Sequence, residues 1–134
     1  MDIIEVGEQQ LPVGAITEAK VLGNLKLIDQ GEVDHKILVL GVHDPLAQKV
    51  SNLEELEKER PGLVAKLVEW LIMYKTTDGK PKNKLASHTP DSAAEALKTV
   101  EETHQHWKKL VEGKTANSQG FHLVKGVPPA RTEL

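Results

Sequence analysis

The chain has 134 residues, enough for one small domain, and its 17 Lys+Arg against 20 Asp+Glu give a formal net charge of −3, which excludes a surface-wide field for nucleic acid or anionic membrane. Cysteine is absent, so disulfides, thiolate metal sites and cysteine nucleophiles are excluded together, and a metal would have to be held by oxygen or imidazole. No apolar run approaches the length of a membrane span, and the N-terminus lacks a charged segment followed by an apolar one; the expectation is a soluble cytoplasmic protein.

β-Branched and aliphatic residues broken by turn formers predict three strands, at residues 2–6, 16–28 and 33–42. The "DQGE" of residues 29–32 separates the second strand from the third, with Gly31 able to supply the positive φ of a tight hairpin. From residue 51 the period turns helical. Ser51 and Glu54 fit a capping box before Leu53 and Leu56, and Pro61 suits the first turn of a second helix. That helix carries Leu63, Val64, Leu67, Val68 and Leu71 on one side. After the loop "TTDGKPKN" the longest helix begins at Pro90 or Ser92, with Leu97, Val100, His104, Trp107 and Val111 along one face and Gly113 as its stop. The tail to Leu134 has no period and contains Pro128 and Pro129. The expected organisation is a single domain: strands over residues 1–50, helices over 51–113 and a coil tail over 114–134. No internal repeat is visible, and the class is α+β, an antiparallel hairpin sheet followed by helices.

The stretch "LIDQGEVDHK", residues 27–36, carries the chemistry. Asp34 and Lys36 lie two apart on a strand and so project to one side, while Asp29 and Glu32 flank the turn before them. Carboxylate oxygens are hard donors suited to magnesium, manganese or calcium, and a lysine beside them suits an anion held by that metal. An acidic hairpin tip is also what a solvated turn looks like, and the residue pattern alone leaves both readings open.

"KVLGNLKLIDQGEVDHKILVLGVHDPLA", "PGLVAKLVEWLIMYKTTDGKPKN" and "ETHQHWKKLVEGK" occur in order and resemble the family I soluble inorganic pyrophosphatases of eukaryotic type. The resemblance covers nearly the whole chain and corresponds to the family's C-terminal half. It implies an OB-like pyrophosphatase barrel, here incomplete, and magnesium-dependent hydrolysis of diphosphate to two phosphates. It implies metal roles for Asp29 and Asp34, a supporting carboxylate in Glu32, and phosphate contacts through Lys36, Tyr74 and Lys75. The opening "MDIIEVG" is similar to the end of the family signature Asp-x-Asp-Pro-x-Asp, with Asp2 as its last aspartate and a third metal ligand. Nothing in these 134 residues matches the earlier signature aspartates, one of which the family uses to activate the attacking water. The expectations are therefore weak binding of Mg2+ or Mn2+ and weak or lost hydrolysis. A further departure is His35, where the family typically has tryptophan; it is expected to alter packing beside the ligand strand more than the metal set.

Other residues read more plainly. Trp70 and Trp107 are expected as core or interface anchors. His104 and His106 point to different faces of a helix, which disfavours a shared metal, and His43, His88 and His122 have no evident partner. Two functional classes stay open at this stage: a diphosphatase reduced or completed from outside these residues, or a short paralogue that binds a different phosphorylated or organic ligand, or performs acid-base chemistry on one. A fragment of a longer chain is a third reading. Open sheet edges and an apolar strand from residue 33 to residue 42 predict a homodimer.

Overall fold

The computed structural model describes residues 1–29 and 31–123. The coil expected at residues 124–134, with its two prolines, lies outside the described residues. Four strands, β1 (Asp2–Glu5), β2 (Ala19–Asp29), β3 (Glu32–Gly41) and β4 (Lys84–Leu85), form one mixed sheet in the order β1-β3-β2-β4. Among the described residues the sheet is not closed into a barrel. The helices are α1 (Leu53–Glu59), α2 (Leu63–Met73) and α3 (Ala93–Val111). The chain divides into two compact units, Met1–Leu97 and Lys98–Leu134.

In the first unit β2 and β3 make an antiparallel hairpin that runs from Ala19 opposite Gly41 to Asp29 opposite Glu32. Gly31 at its tip has φ +88°, a left-handed conformation that a Cβ would strain. β1 lies parallel to β3, with Asp2 opposite Lys36. This parallel pairing, like the two-residue β4, has no local signature in the sequence. A register shift between Val21 and Gly23 marks a β-bulge, and Leu22 is fully buried with Leu40, Leu46, Val50 and Leu56. Gly23 permits a close approach there: a Cβ would stand 2.5 Å from the Leu53 side chain and 2.9 Å from the Asp91 carbonyl oxygen.

As expected of a strand buried on both sides, Ile37, Leu38, Val39 and Leu40 are each no more than 3% exposed. α2 covers one face of the hairpin: Leu71 packs with Leu25, Leu27 and Leu38, while Leu67, Val68 and Tyr74 join at the margin. The capping of α1 differs from expectation by one residue. Asn52, not Ser51, is the cap: its side-chain oxygen accepts from Glu55 N at 2.9 Å, and the Glu55 carboxylate accepts from Ser51 N at 2.7 Å. Asn caps as well as Ser, and a glutamate stands three residues after each, so the pattern alone does not separate them. α2 begins at Leu63, so Pro61 precedes it, with Gly62 between at φ +80°. α3 starts at the second of its two expected positions: Ser92 N donates to the Glu95 carboxylate at 2.8 Å, a bond that holds Glu95 below its ordinary value of 4.5.

In the second unit α3 ends at Val111, and Gly113 takes φ +72° just beyond it. His104 stacks on Trp107, ring centroids 5.3 Å apart. Neither tryptophan is core: Trp70 is 56% exposed and Trp107 43%. Among the described residues no helix is long and apolar enough to cross a membrane.

Candidate functional site

The hairpin register decides which side chains meet. Residues opposite one another on paired strands share a face; Asp29 lies opposite Glu32, Leu27 opposite Asp34 and Leu25 opposite Lys36, and Asp2 lies opposite Lys36 on the other side. Asp2, Asp29, Glu32, Asp34 and Lys36 therefore occupy the same sheet face as Leu25, Leu27 and Leu38, the face on which α2 packs. A 3-10 turn, Tyr74–Asp78, continues α2 and brings Tyr74 and Lys75 to the acidic tip. Apolar burial under α2 thus sets the polar groups beyond it.

Two lysines organise the carboxylates. Lys36 is buried, and its ammonium donates to the Asp2 carboxylate and pairs with Asp34 at 2.7 Å. Burial alone would lower the Lys36 pKa; the bonds to Asp2 and Asp34 outweigh it and hold the ammonium above its ordinary 10.5. The same bond holds the Asp2 carboxyl below its ordinary 3.8. Lys75 Nζ lies 2.5 Å from Asp29 and 5.8 Å from the Tyr74 ring centroid, and its bond to Asp29 raises its pKa. Tyr74 in turn stacks on Trp70, centroids 5.1 Å apart. Met1, Asp29, Glu32, Val33 and Asp34 line an open depression of about 510 Å³.

The donor chemistry of Asp29, Glu32 and Asp34 around one depression suits a hard divalent cation. Among the described residues, however, no three carboxylate or imidazole side chains converge closely enough to ligate one; Asp2, Asp29 and Asp34 turn instead to the lysine ammonium groups. Every candidate metal or phosphate residue stands on this face or at its edge, but Asp2, Asp29 and Asp34 are held there as ion pairs.

A second polar group was not foreseen. On the opposite face of the hairpin the buried Asn24 Nδ2 lies 2.9 Å from His35 Nδ1 and donates to Asp91 Oδ2, also at 2.9 Å. Lys26, opposite His35, pairs with Asp91 at 2.7 Å. The signal available was a pattern break: Asn24 and Lys26 interrupt an otherwise apolar strand at period two. Asp91, 67 residues away, could not be matched to them from spacing.

Comparison with known proteins identifies the family to which this fold belongs. The inorganic pyrophosphatase profile matches residues 1–108. The inorganic pyrophosphatase of Debaryomyces hansenii is 38% identical over 99% of this chain and 52% of its own length. That of Eremothecium gossypii is 42% identical over 92% of this chain and 44% of its own. The chain thus spans about half the length of these curated relatives. Among solved structures, the Schistosoma japonicum inorganic pyrophosphatase superposes with a TM-score of 0.78 at 34% identity, over 81% of this chain and 39% of that one. An N-terminal domain truncated vacuolar soluble pyrophosphatase of Trypanosoma cruzi, solved in complex with PPi, gives a TM-score of 0.79 at 31% identity, over 82% of this chain and 42% of that one. With a profile match over most of its residues and a shared fold at this identity, the chain belongs to the inorganic pyrophosphatase family.

Proposed function

We propose that this chain carries the metal- and diphosphate-binding face of a magnesium-dependent inorganic diphosphatase. The observation that supports the reading is the common sheet face of Asp2, Asp29, Glu32, Asp34 and Lys36, with Lys75 joined to Asp29 at its edge. In this proposal Asp2, Asp29 and Asp34 hold Mg2+ or Mn2+ weakly, and Glu32 supports them. When bound, the cation supplies neutralisation of the phosphoryl oxygens. Lys36, Tyr74 and Lys75 bind phosphate oxygens. Lys36 and Lys75 now neutralise carboxylates; once those carboxylates are neutralised otherwise, both ammonium groups become available to an anion. Tyr74, braced by its stack on Trp70, offers a phenolic donor beside Lys75. The PPi held by the T. cruzi enzyme is the ligand this reading extends to the present chain.

Hydrolysis also needs a positioned base for the water, a contribution of about 10²–10⁴-fold. No residue here matches the aspartate to which the family resemblance gives that role, so the 134 residues assayed by themselves are expected to release phosphate from diphosphate near background. A cytoplasmic location and a homodimer belong to the same proposal. The test is calorimetric titration with imidodiphosphate, a non-hydrolysable diphosphate analogue, in the presence of Mg2+. Binding is expected, weakened about tenfold in Lys75→Met through loss of a charge-assisted hydrogen bond. Equal affinity in the variant, or no binding to the unmodified chain, contradicts the assignment.

A further inference from the structure

We propose that Asn24, His35 and Asp91 form a polar clip that fixes the carboxylate strand from its far face, with His35 held as the Nε2–H tautomer. This rests on the reading of Asp34 and Lys36 as metal and phosphate groups. The chemistry of the clip is settled by its donors. Asn24 is fully buried, and its Nδ2 lies 2.9 Å from both Asp91 Oδ2 and His35 Nδ1. Turning the amide over would set Oδ1 against the Asp91 carboxylate, two acceptors facing each other, so the amide nitrogen must point this way. An amide NH2 only donates. His35 Nδ1 must therefore accept, and the ring proton sits on Nε2.

Asp91 is itself held in several ways: it exchanges backbone hydrogen bonds with Asn24, at 3.3 and 2.9 Å, and its carboxylate pairs with Lys26 at 2.7 Å. The arrangement carries a cost, because Asn24 Oδ1 is buried with no hydrogen-bond partner among the described residues. An apolar pair at positions 24 and 35 would avoid that cost, so the clip contributes direction more than net stability. Direction matters here because His35 stands between Asp34 and Lys36 on β3. Period two sends those neighbours to the ligand face and His35 to the other. A bond that fixes the His35 side chain therefore restrains the backbone from which both site residues project. A tryptophan at this position, as the family resemblance has it, could fill space but could not accept from Asn24. His35 and Asn24 are thus positioning residues that act through β3.

The experiment uses the full 134-residue chain. Long-range 1H–15N correlation on the His35 ring is expected to report an unprotonated Nδ1 and a protonated Nε2. In parallel, Mn2+ affinity is measured by calorimetry for the unmodified chain and for His35→Leu, Asn24→Ala and His35→Gln, with circular dichroism as the check on folding. His35→Leu and Asn24→Ala each break the bond from one side and are expected to weaken Mn2+ about three- to tenfold, below the roughly 10–100-fold that direct outer partners of metal ligands cost, because the clip acts through the β3 backbone. His35→Gln, whose side-chain oxygen can accept from Asn24, is expected to restore the affinity. A proton on Nδ1, or unchanged Mn2+ affinity in folded His35→Leu and Asn24→Ala, overturns the clip while leaving the metal reading intact. An unmodified chain that binds no Mn2+ removes the metal reading and the positioning role with it.

Discussion

Lys36, 5% exposed, holds its charge because Asp2 and Asp34 accept from it. Asp2 titrates lower in the fold than in the unfolded chain, so its contribution is present above its ordinary 3.8 and is lost as pH falls through the depressed value. Lys36 titrates higher, so its contribution is complete below 10.5 and is lost as pH rises through the raised value. The Asp2 side chain is 66% exposed, which limits this pair to the range of solvent-screened bridges, at most about 1 kcal/mol. Urea unfolding at pH 6 and at pH 3 should therefore show a smaller acid loss for Asp2→Asn than for the unmodified chain; parallel losses would mean that the ion pair does not form. Lys36, Asp29 and Asp34 were legible from period two and the family resemblance together. Their partners were not: that Asp29 meets Lys75, 46 residues on, depends on how far α2 runs before its 3-10 turn.

At the scale of elements, the hairpin is the most sequence-determined part of the chain. Asp34 and Lys36, two apart at the start of β3, marked its polar face, and "DQGE" marked its turn. Gly31→Ala places a Cβ at φ +88° with open space around it, so the cost is backbone strain alone, about 1 kcal/mol; chemical denaturation checks this, and an unchanged midpoint would contradict the turn geometry. Leu71 anchors α2 on the hairpin at 2% exposure, and Leu71→Ala should lower stability by about 2–5 kcal/mol. Because α2 ends in the turn that carries Tyr74 and Lys75, the same variant should also weaken imidodiphosphate binding in the fraction that remains folded. The helical segments were predicted from periodicity, yet the boundary between residues 51 and 52 was not, since both offer the same cap chemistry. The apolar stripe read along α3 begins at Leu97, which is 53% exposed, whereas its neighbour Ala96, outside the stripe, is fully buried. Periodicity finds a stripe without saying which residues beside it are buried.

At the level of the whole molecule, among the described residues the sheet has β1 and β4 at its edges, with Ile3 54% exposed on β1. An unpaired edge beside exposed apolar groups favours pairing with another chain, and a homodimer at micromolar concentration is the expected outcome of light scattering; a monodisperse monomer would contradict it. In the proposed function Asp2, Asp29 and Asp34 exchange their lysine partners for a metal. Calorimetric titration of Mn2+ into the unmodified chain and into the Asp29→Ala, Asp34→Ala double variant tests this most directly. Weak saturable binding to the unmodified chain is expected, with a loss of at least about tenfold when both carboxylates are removed, since affinity follows ligand charge and number; the same affinity in both proteins would contradict a metal role for Asp29 and Asp34.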